Sequence, residues 1–198
     1  MTNSTSVPQG YLLEDFRLFH LNDLNSRTYN FHHHDFLKIM ILLSGNVTYV
    51  VEGRSYPLIP WDIVLVDRGQ VHRPVVDTAQ PYERILLYLS PSFLEKYSTK
   101  EASLTKCFET AQYRHSQVLR LSHETLAPIK VLLQKLEANT SCKNNDFASP
   151  LLAKILCLEF LIELNRITLS PKAGFLTEST LDYRISSLLA YINSHLDE

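Results

Sequence analysis

Between residues 11 and 89 the hydrophobic positions fall in short runs rich in Val, Ile, Leu, Tyr and Phe: Tyr11–Leu21, Phe36–Leu43, Val47–Glu52, Ile63–Val66, Val71–Val76 and Tyr82–Leu89. Such runs predict strands. Ser44-Gly45-Asn46, Glu52-Gly53-Arg54 and Asp67-Arg68-Gly69-Gln70 lie between them as turns, where glycine supplies the positive φ that other residues resist. No helical pattern intervenes, so these strands predict an antiparallel sandwich or small barrel and not βαβ units.

After Ser90 the pattern changes. Ser90-Pro91 is an N-cap followed by a first-turn proline and predicts a short helix through about Tyr97. Leu126, Ile129, Leu132, Leu133 and Leu136 have the spacing of one buried helical stripe, with Pro128 expected in a first turn. Residues 139–146 read as a polar loop. A second long helix is predicted from about Ser149 to Ile167, and its apolar residues, from Leu151 through Phe160 to Ile167, spread around nearly the whole circumference. A helix of that kind must be covered on more than one side, which predicts self-association of the helical pair into a homodimer. Residues 170–181 read as a linker, and Ile185, Leu188, Leu189, Ile192 and Leu196 as the start of a last helix at 182–198. The expected layout is an arm at 1–10, a barrel at 11–90 and a helical segment at 91–169, followed by the linker and the final helix.

Composition narrows the class. The 198 residues suffice for one domain with an appendage, and 45% hydrophobic against 20% charged residues marks a chain that folds. The polar first ten residues lack a secretory pattern, and no apolar run is long enough to cross a bilayer, so no membrane partner is expected. Cys107, Cys142 and Cys157 show no C-x-x-C spacing and fit a reducing cytoplasm. A net charge of −2 without a basic cluster gives no general attraction to a polyanion, so DNA is not an expected partner of these residues themselves.

The candidate chemistry lies in Phe31-His32-His33-His34. On an extended chain His32 and His34 share a face. Lys38 and Gly45 follow, and Gly69-Gln70-Val71-His72 places a further histidine just after a turn. This spacing resembles the two motifs of the cupin superfamily, with His32, His34, Gly45, Gly69 and His72 at matching positions. Three positions depart from it: Lys38 stands where a metal-binding glutamate would be, Trp61 where a glycine opens the second motif, and Asp67 where a proline lies. The resemblance implies a divalent metal held by His32, His34 and His72, but an ammonium in place of the carboxylate disfavours a divalent ion. No cofactor is therefore expected, and metal binding by the three histidines is the alternative. Lys38 with these histidines instead suits an anionic or polyhydroxylated small molecule. Strand alternation adds Tyr49, Arg84 and Tyr88 as candidate ligand contacts, since tyrosine offers both a ring face and a hydroxyl.

The order of barrel motif, serine-proline helix start, apolar helix pair, linker and final helix is similar to AraC-type transcription regulators, with 31–74 resembling their barrel signature and 185–198 the first helix of their DNA-binding domain. The resemblance implies a mainly β plus α fold, a cupin-type double-stranded β-helix barrel followed by a helical dimerisation segment. It also implies a non-enzymatic sensor that binds a small-molecule effector, with a sugar among the expected ligands. DNA would be contacted only through a C-terminal domain missing from this sequence. The rival readings are a metal-dependent cupin enzyme, an isomerase or dioxygenase, and a stand-alone oligomerising protein.

Overall fold

The computed structural model describes residues 12–24, 29–77, 79–141, 146–176 and 180–181. The arm expected at 1–10 and the last helix expected at 182–198 lie outside the described residues.

Seven strands come first: β1 (Phe16–Asp23), β2 (Leu37–Ser44), β3 (Val47–Val51), β4 (Arg54–Pro57), β5 (Ile63–Val66), β6 (His72–Val76) and β7 (Tyr82–Leu89). Helices α1 (Pro91–Tyr97) and α2 (Lys106–Tyr113), the short β8 (Val118–Leu119), helices α3 (His123–Ser141) and α4 (Ser149–Leu169), and β9 (Thr180–Leu181) complete the order. The strands form two antiparallel sheets, one ordered β1-β7-β2-β5-β8 and the other β6-β3-β4-β9. Met40, Leu42, Val64 and Leu86 of the first sheet share a core with Val47, Tyr49, Val51 and Tyr56 of the second. The sheets thus close on each other as a cupin-type barrel.

The turns follow the glycines. Glu52 and Gly53 both have positive φ, at 49° and 76°, as a two-residue hairpin between β3 and β4 requires. Gly45 turns β2 into β3 at φ 114°, and a Cβ there would come within 2.9 Å of the Pro81 carbonyl oxygen. Trp61 stands at φ 74° where the resembling motif has glycine, so the chain keeps a left-handed conformation without the residue that adopts it freely. The Trp61 ring lies 4.3 Å from Nζ of Lys130, linking the barrel to α3.

The outer face of the five-stranded sheet is covered by helices. Leu37, Ile39, Ile41, Ile85, Leu87 and Leu89 pack with Phe93, Leu133, Phe160, Leu161 and Leu164 in a second core. Ser90 caps α1, its Oγ accepting from the Phe93 N–H as the sequence predicts. Asn165, buried on α4, accepts from the Cys107 N–H and donates to the carbonyls of Leu104 and Leu161, joining α4 to α2.

Several elements differ from expectation. β1 starts at Phe16, not Tyr11, and β4, α2, β8 and β9 are additional, β9 falling within the segment read as a linker. α3 starts three residues before the predicted stripe, so Pro128 lies inside the helix, past its first turn. The segment read as a linker runs beside β8: Arg120 N–H donates to the Gly174 carbonyl, Leu176 N–H to that of Val118, and Leu119 bridges Phe175. A Cβ on Gly174 would meet the Arg120 carbonyl oxygen at 2.4 Å, so this approach requires glycine. Among the described residues no helix is long and apolar enough to cross a membrane.

Candidate ligand-binding site

β2 is buried on both faces, which explains its nearly unbroken apolar sequence. Leu37, Ile39 and Ile41 face the helices, whereas Met40 and Leu42 face the barrel interior. Lys38 shares the parity of Met40 and Leu42, so its amine enters that interior, and the residue is only 5% exposed. Its Nζ lies 3.2 Å from Nε2 of His72 and 5.8 Å from the Tyr49 ring centroid. No carboxylate among the described residues pairs with it.

The histidines are oriented by backbone carbonyls. His72 Nδ1 donates to the Gln70 carbonyl at 2.9 Å, which leaves Nε2 to accept from Lys38. His34 Nδ1 donates to the Phe36 carbonyl at 2.7 Å, and the ring stacks on Phe36 with centroids 4.1 Å apart. His34 Nε2 is then a lone-pair acceptor, buried and without a hydrogen-bond partner among the described residues. His32 sits at the exposed rim, donating Nδ1 to the Asn30 carbonyl and bridging His72 through the backbone. Ring centroids of His32, His34 and Tyr49 lie 4.3, 4.9 and 6.0 Å from that of His72, which is the hub of the cluster. The Tyr49 hydroxyl is likewise buried and has no partner among the described residues.

Burial dominates the electrostatics. It pushes the Lys38 amine down to about 7, with the positive Arg84 adding to the effect. Burial and then Lys38 bring His34 down to about 4 and His72 to about 2, so both rings are neutral at physiological pH. His32 is lowered mainly by burial, and the Tyr49 and Tyr88 hydroxyls are raised by it.

Arg84 and Tyr88 project from β7 on the same face. Tyr88 is in register with Lys38, its ring 4.5 Å from Phe36 and 6.2 Å from His34. Arg84 lies deeper along the sheet and is committed: Nη1 is 2.8 Å from the Asp23 carboxylate and 3.1 Å from the Tyr82 carbonyl, with the guanidinium 4.1 Å over the Tyr82 ring. Tyr29 donates to Asp23 at 2.6 Å and closes this set. Six of the seven residues selected from sequence therefore gather around the interior, with His32 at the rim. Sequence reasoning missed Phe36, which stacks on His34, and Asp23, Tyr29 and Tyr82, which fix Arg84. Phe36 could have been found by its spacing from His34, but Asp23 and Tyr29 depend on the β1–β7 register and a loop position.

The donor set does not fit a divalent metal. Nε2 of His72, the nitrogen a metal would need, is taken by the Lys38 amine, and no carboxylate joins the three imidazoles. Among the described residues no group of three or more His, Cys, Asp or Glu is arranged to hold a metal ion. A cavity of about 770 Å³ lies elsewhere, between the start of α3 and the end of α4, lined by Arg120, Ser122, His123, Ile167, Lys172 and Phe175 among others. It contains none of the cluster above.

The architecture defines a cupin-type barrel with a covering helical layer. Over residues 16–161 the sequence matches the family described as the AraC-like ligand binding domain, and the chain belongs to that family. No curated protein matches it. Among solved structures it is similar to the salicylate 1,2-dioxygenase of Pseudaminobacter salicylatoxidans, with 20% identity over 37% of this chain and 22% of that one and a TM-score of 0.35. A cupin 2 conserved barrel domain protein from Salinispora arenicola gives 18% identity over 46% and 76%, with a TM-score of 0.37. Vicilin from Corylus avellana gives 18% identity over 40% and 22%, with a TM-score of 0.36. The chain thus spans about a fifth of the dioxygenase and vicilin chains.

Proposed function

We propose that this chain is the effector-sensing and dimerisation part of a cytoplasmic AraC-type transcription regulator and not an enzyme. A small molecule enters the barrel beside His32, His34, Lys38, Tyr49, His72, Arg84 and Tyr88 and controls DNA binding by a further domain of the parent regulator. A sugar or related polyol suits the tyrosine and histidine lining. The observation that carries this reading is a set of uncompensated groups in one place: among the described residues the Tyr49 hydroxyl and His34 Nε2 have no partner, and the Lys38 amine, hydrogen-bonded to His72, has no counter-charge. Buried polar groups are nearly always paired in a finished core, and buried charges are countered, so two orphaned atoms beside an uncompensated amine favour a site completed by a ligand.

An effector can alter transcription only by binding two arrangements of the protein with different affinity. A thermal-shift screen of sugars, sugar acids and small aromatics tests the reading. A true effector raises the melting temperature through linkage, and a flat response to every compound would count against it. Metal analysis of the purified chain separates the enzyme reading, which requires stoichiometric iron, manganese or nickel held by the three histidines.

Dimerisation is supported by α4. One side buries Leu156, Cys157, Phe160, Leu161 and Leu164, while Leu151, Ile155, Ile162 and Leu169 form an exposed stripe on the other, with Ile155 51% exposed. Their spacing of four, seven and seven residues, with half-buried Leu158 between Ile155 and Ile162, is that of a coiled-coil seam. A second copy would cover it. Sedimentation showing only monomer at high micromolar concentration would contradict this.

A further inference from the structure

The effector-sensing reading leaves the ligand's chemistry open, and the two orphaned atoms together with the uncompensated Lys38 amine restrict it. Lys38 needs an anion: its one hydrogen bond is to a neutral imidazole, and burying an ammonium without a counter-charge is costly. The neighbouring cation cannot share that need, because Arg84 is already matched by Asp23. One unmatched cation calls for one negative charge, which favours a carboxylate over a phosphate dianion. The Tyr49 hydroxyl can donate to an acceptor such as a carboxylate oxygen. His34 asks for the opposite. Its Nδ1 proton is committed to the Phe36 carbonyl, so Nε2 accepts and needs an O–H or N–H donor. All three flank His72, within the few ångströms that separate its ring from those of His34 and Tyr49.

We propose that the molecule taken up by the barrel is a hydroxycarboxylic acid. Its carboxylate faces Lys38 and the Tyr49 hydroxyl, and its own hydroxyl donates to His34 Nε2. The proposal rests on the effector-sensing reading and narrows it. A neutral polyol satisfies Tyr49 and His34 but leaves Lys38 without a counter-charge. A simple carboxylate satisfies Lys38 and Tyr49 but leaves His34 unpaired. A ligand carrying both a carboxylate and a hydroxyl completes the set. The depressed affinity of the Lys38 amine for its proton agrees with a site that lacks its anion. Phe36 and Tyr88 supply an apolar wall for the carbon skeleton, and His32 at the rim marks the side of entry.

Three probes of equal carbon count separate these functions: lactate carries both, propionate only the carboxylate, and 1,2-propanediol only hydroxyls. Each is titrated calorimetrically into the full chain, into Lys38→Met and into Tyr49→Phe. Lactate should bind wild type about tenfold or more tightly than either other probe, the size expected of one hydrogen-bonded charge. Lys38→Met should reduce lactate to the level of propanediol, and Tyr49→Phe should weaken lactate and propanediol alike, severalfold. Tyr49→Phe, which removes one oxygen, keeps the test available if Lys38→Met does not fold. Propanediol binding as tightly as lactate, lactate binding unchanged in both variants, or no saturable lactate binding would overturn the proposal. If a neutral sugar nevertheless raises the melting temperature of the wild-type chain, the sensing reading stands and only the hydroxycarboxylate assignment falls.

Discussion

The two faces of the five-stranded sheet are built from alternate residues of the same strands, yet they treat polar groups in opposite ways. On the helix-covered face the buried polar residue Asn165 makes three hydrogen bonds and ties α4 to α2. Just before β5 the buried Asp62 accepts from both Nε and Nη2 of Arg120, at 2.8 and 2.7 Å, and from the Ile59 N–H. On the barrel face, among the described residues, Lys38 has only an imidazole, and Tyr49 and His34 each have an idle polar atom. Complete pairing marks a region whose task is to hold the fold. Incomplete pairing at the buried barrel face is what the proposed ligand site rests on.

The comparison can be broken by mutation. The largest effect is expected on the helix face, where Phe160→Ala should lower unfolding free energy by about 3–5 kcal/mol, measured by urea denaturation. The next largest has the opposite sign. Lys38→Met removes a poorly compensated buried amine and should raise stability by roughly 1–4 kcal/mol at neutral pH. If instead it destabilises strongly, Lys38 has a counter-charge and the contrast fails.

This gain should depend on pH. The folded-state pKa of Lys38, about 7, lies below its ordinary value of 10.5, so between these limits the unfolded chain holds the extra proton. Wild-type stability should therefore rise with pH across that window, and the advantage of Lys38→Met should shrink toward pH 10. Below about pH 6.5 the unfolded chain takes protons at His34 and His72 that the folded chain refuses until about 4 and 2, so stability should fall in acid. Melting curves of both proteins over this range check each sign.

Smaller effects sharpen the contrast. Asp62→Asn should cost about 1–3 kcal/mol, because Arg120 loses a charged partner and Ile59 N–H keeps only a weaker one. Tyr49→Phe should leave unfolding free energy unchanged or raise it by up to about 1–3 kcal/mol, since the hydroxyl it removes is buried with no partner to lose among the described residues. A loss of a full kcal/mol there would reveal a hydrogen bond and remove Tyr49 from the site.

Much of this was legible in the chain. Period-two runs and glycine turns located six of the nine strands, and Ser90-Pro91 located α1. What escaped had weak local signals: β4 is a four-residue strand ending in proline, α2 (KCFETAQY) is short and half polar, and β8 has two residues. The approach of 173–176 to β8 depends on a tertiary contact at Gly174 that no local pattern announces. In the site, motif spacing identified His34, Lys38 and His72, because the barrel fold fixes where those positions converge. The commitment of Arg84 to Asp23 was not legible, since it follows from the β1–β7 register, in which Asp23 opposes Tyr82 two residues from Arg84. The fate of the all-round apolar helix was half legible: one side packs as expected, and the other remains exposed on the single chain.

The central claim is that an effector binds inside the barrel, and the cavity between α3 and α4 is the competing location. Hydrogen–deuterium exchange of the chain with and without the first compound that raises its melting temperature compares the two directly. The account predicts added protection in β2, β3, β6 and β7, around Lys38, Tyr49, His72 and Tyr88. Protection confined to residues 120–125 and 167–176, with those strands unchanged, would contradict it.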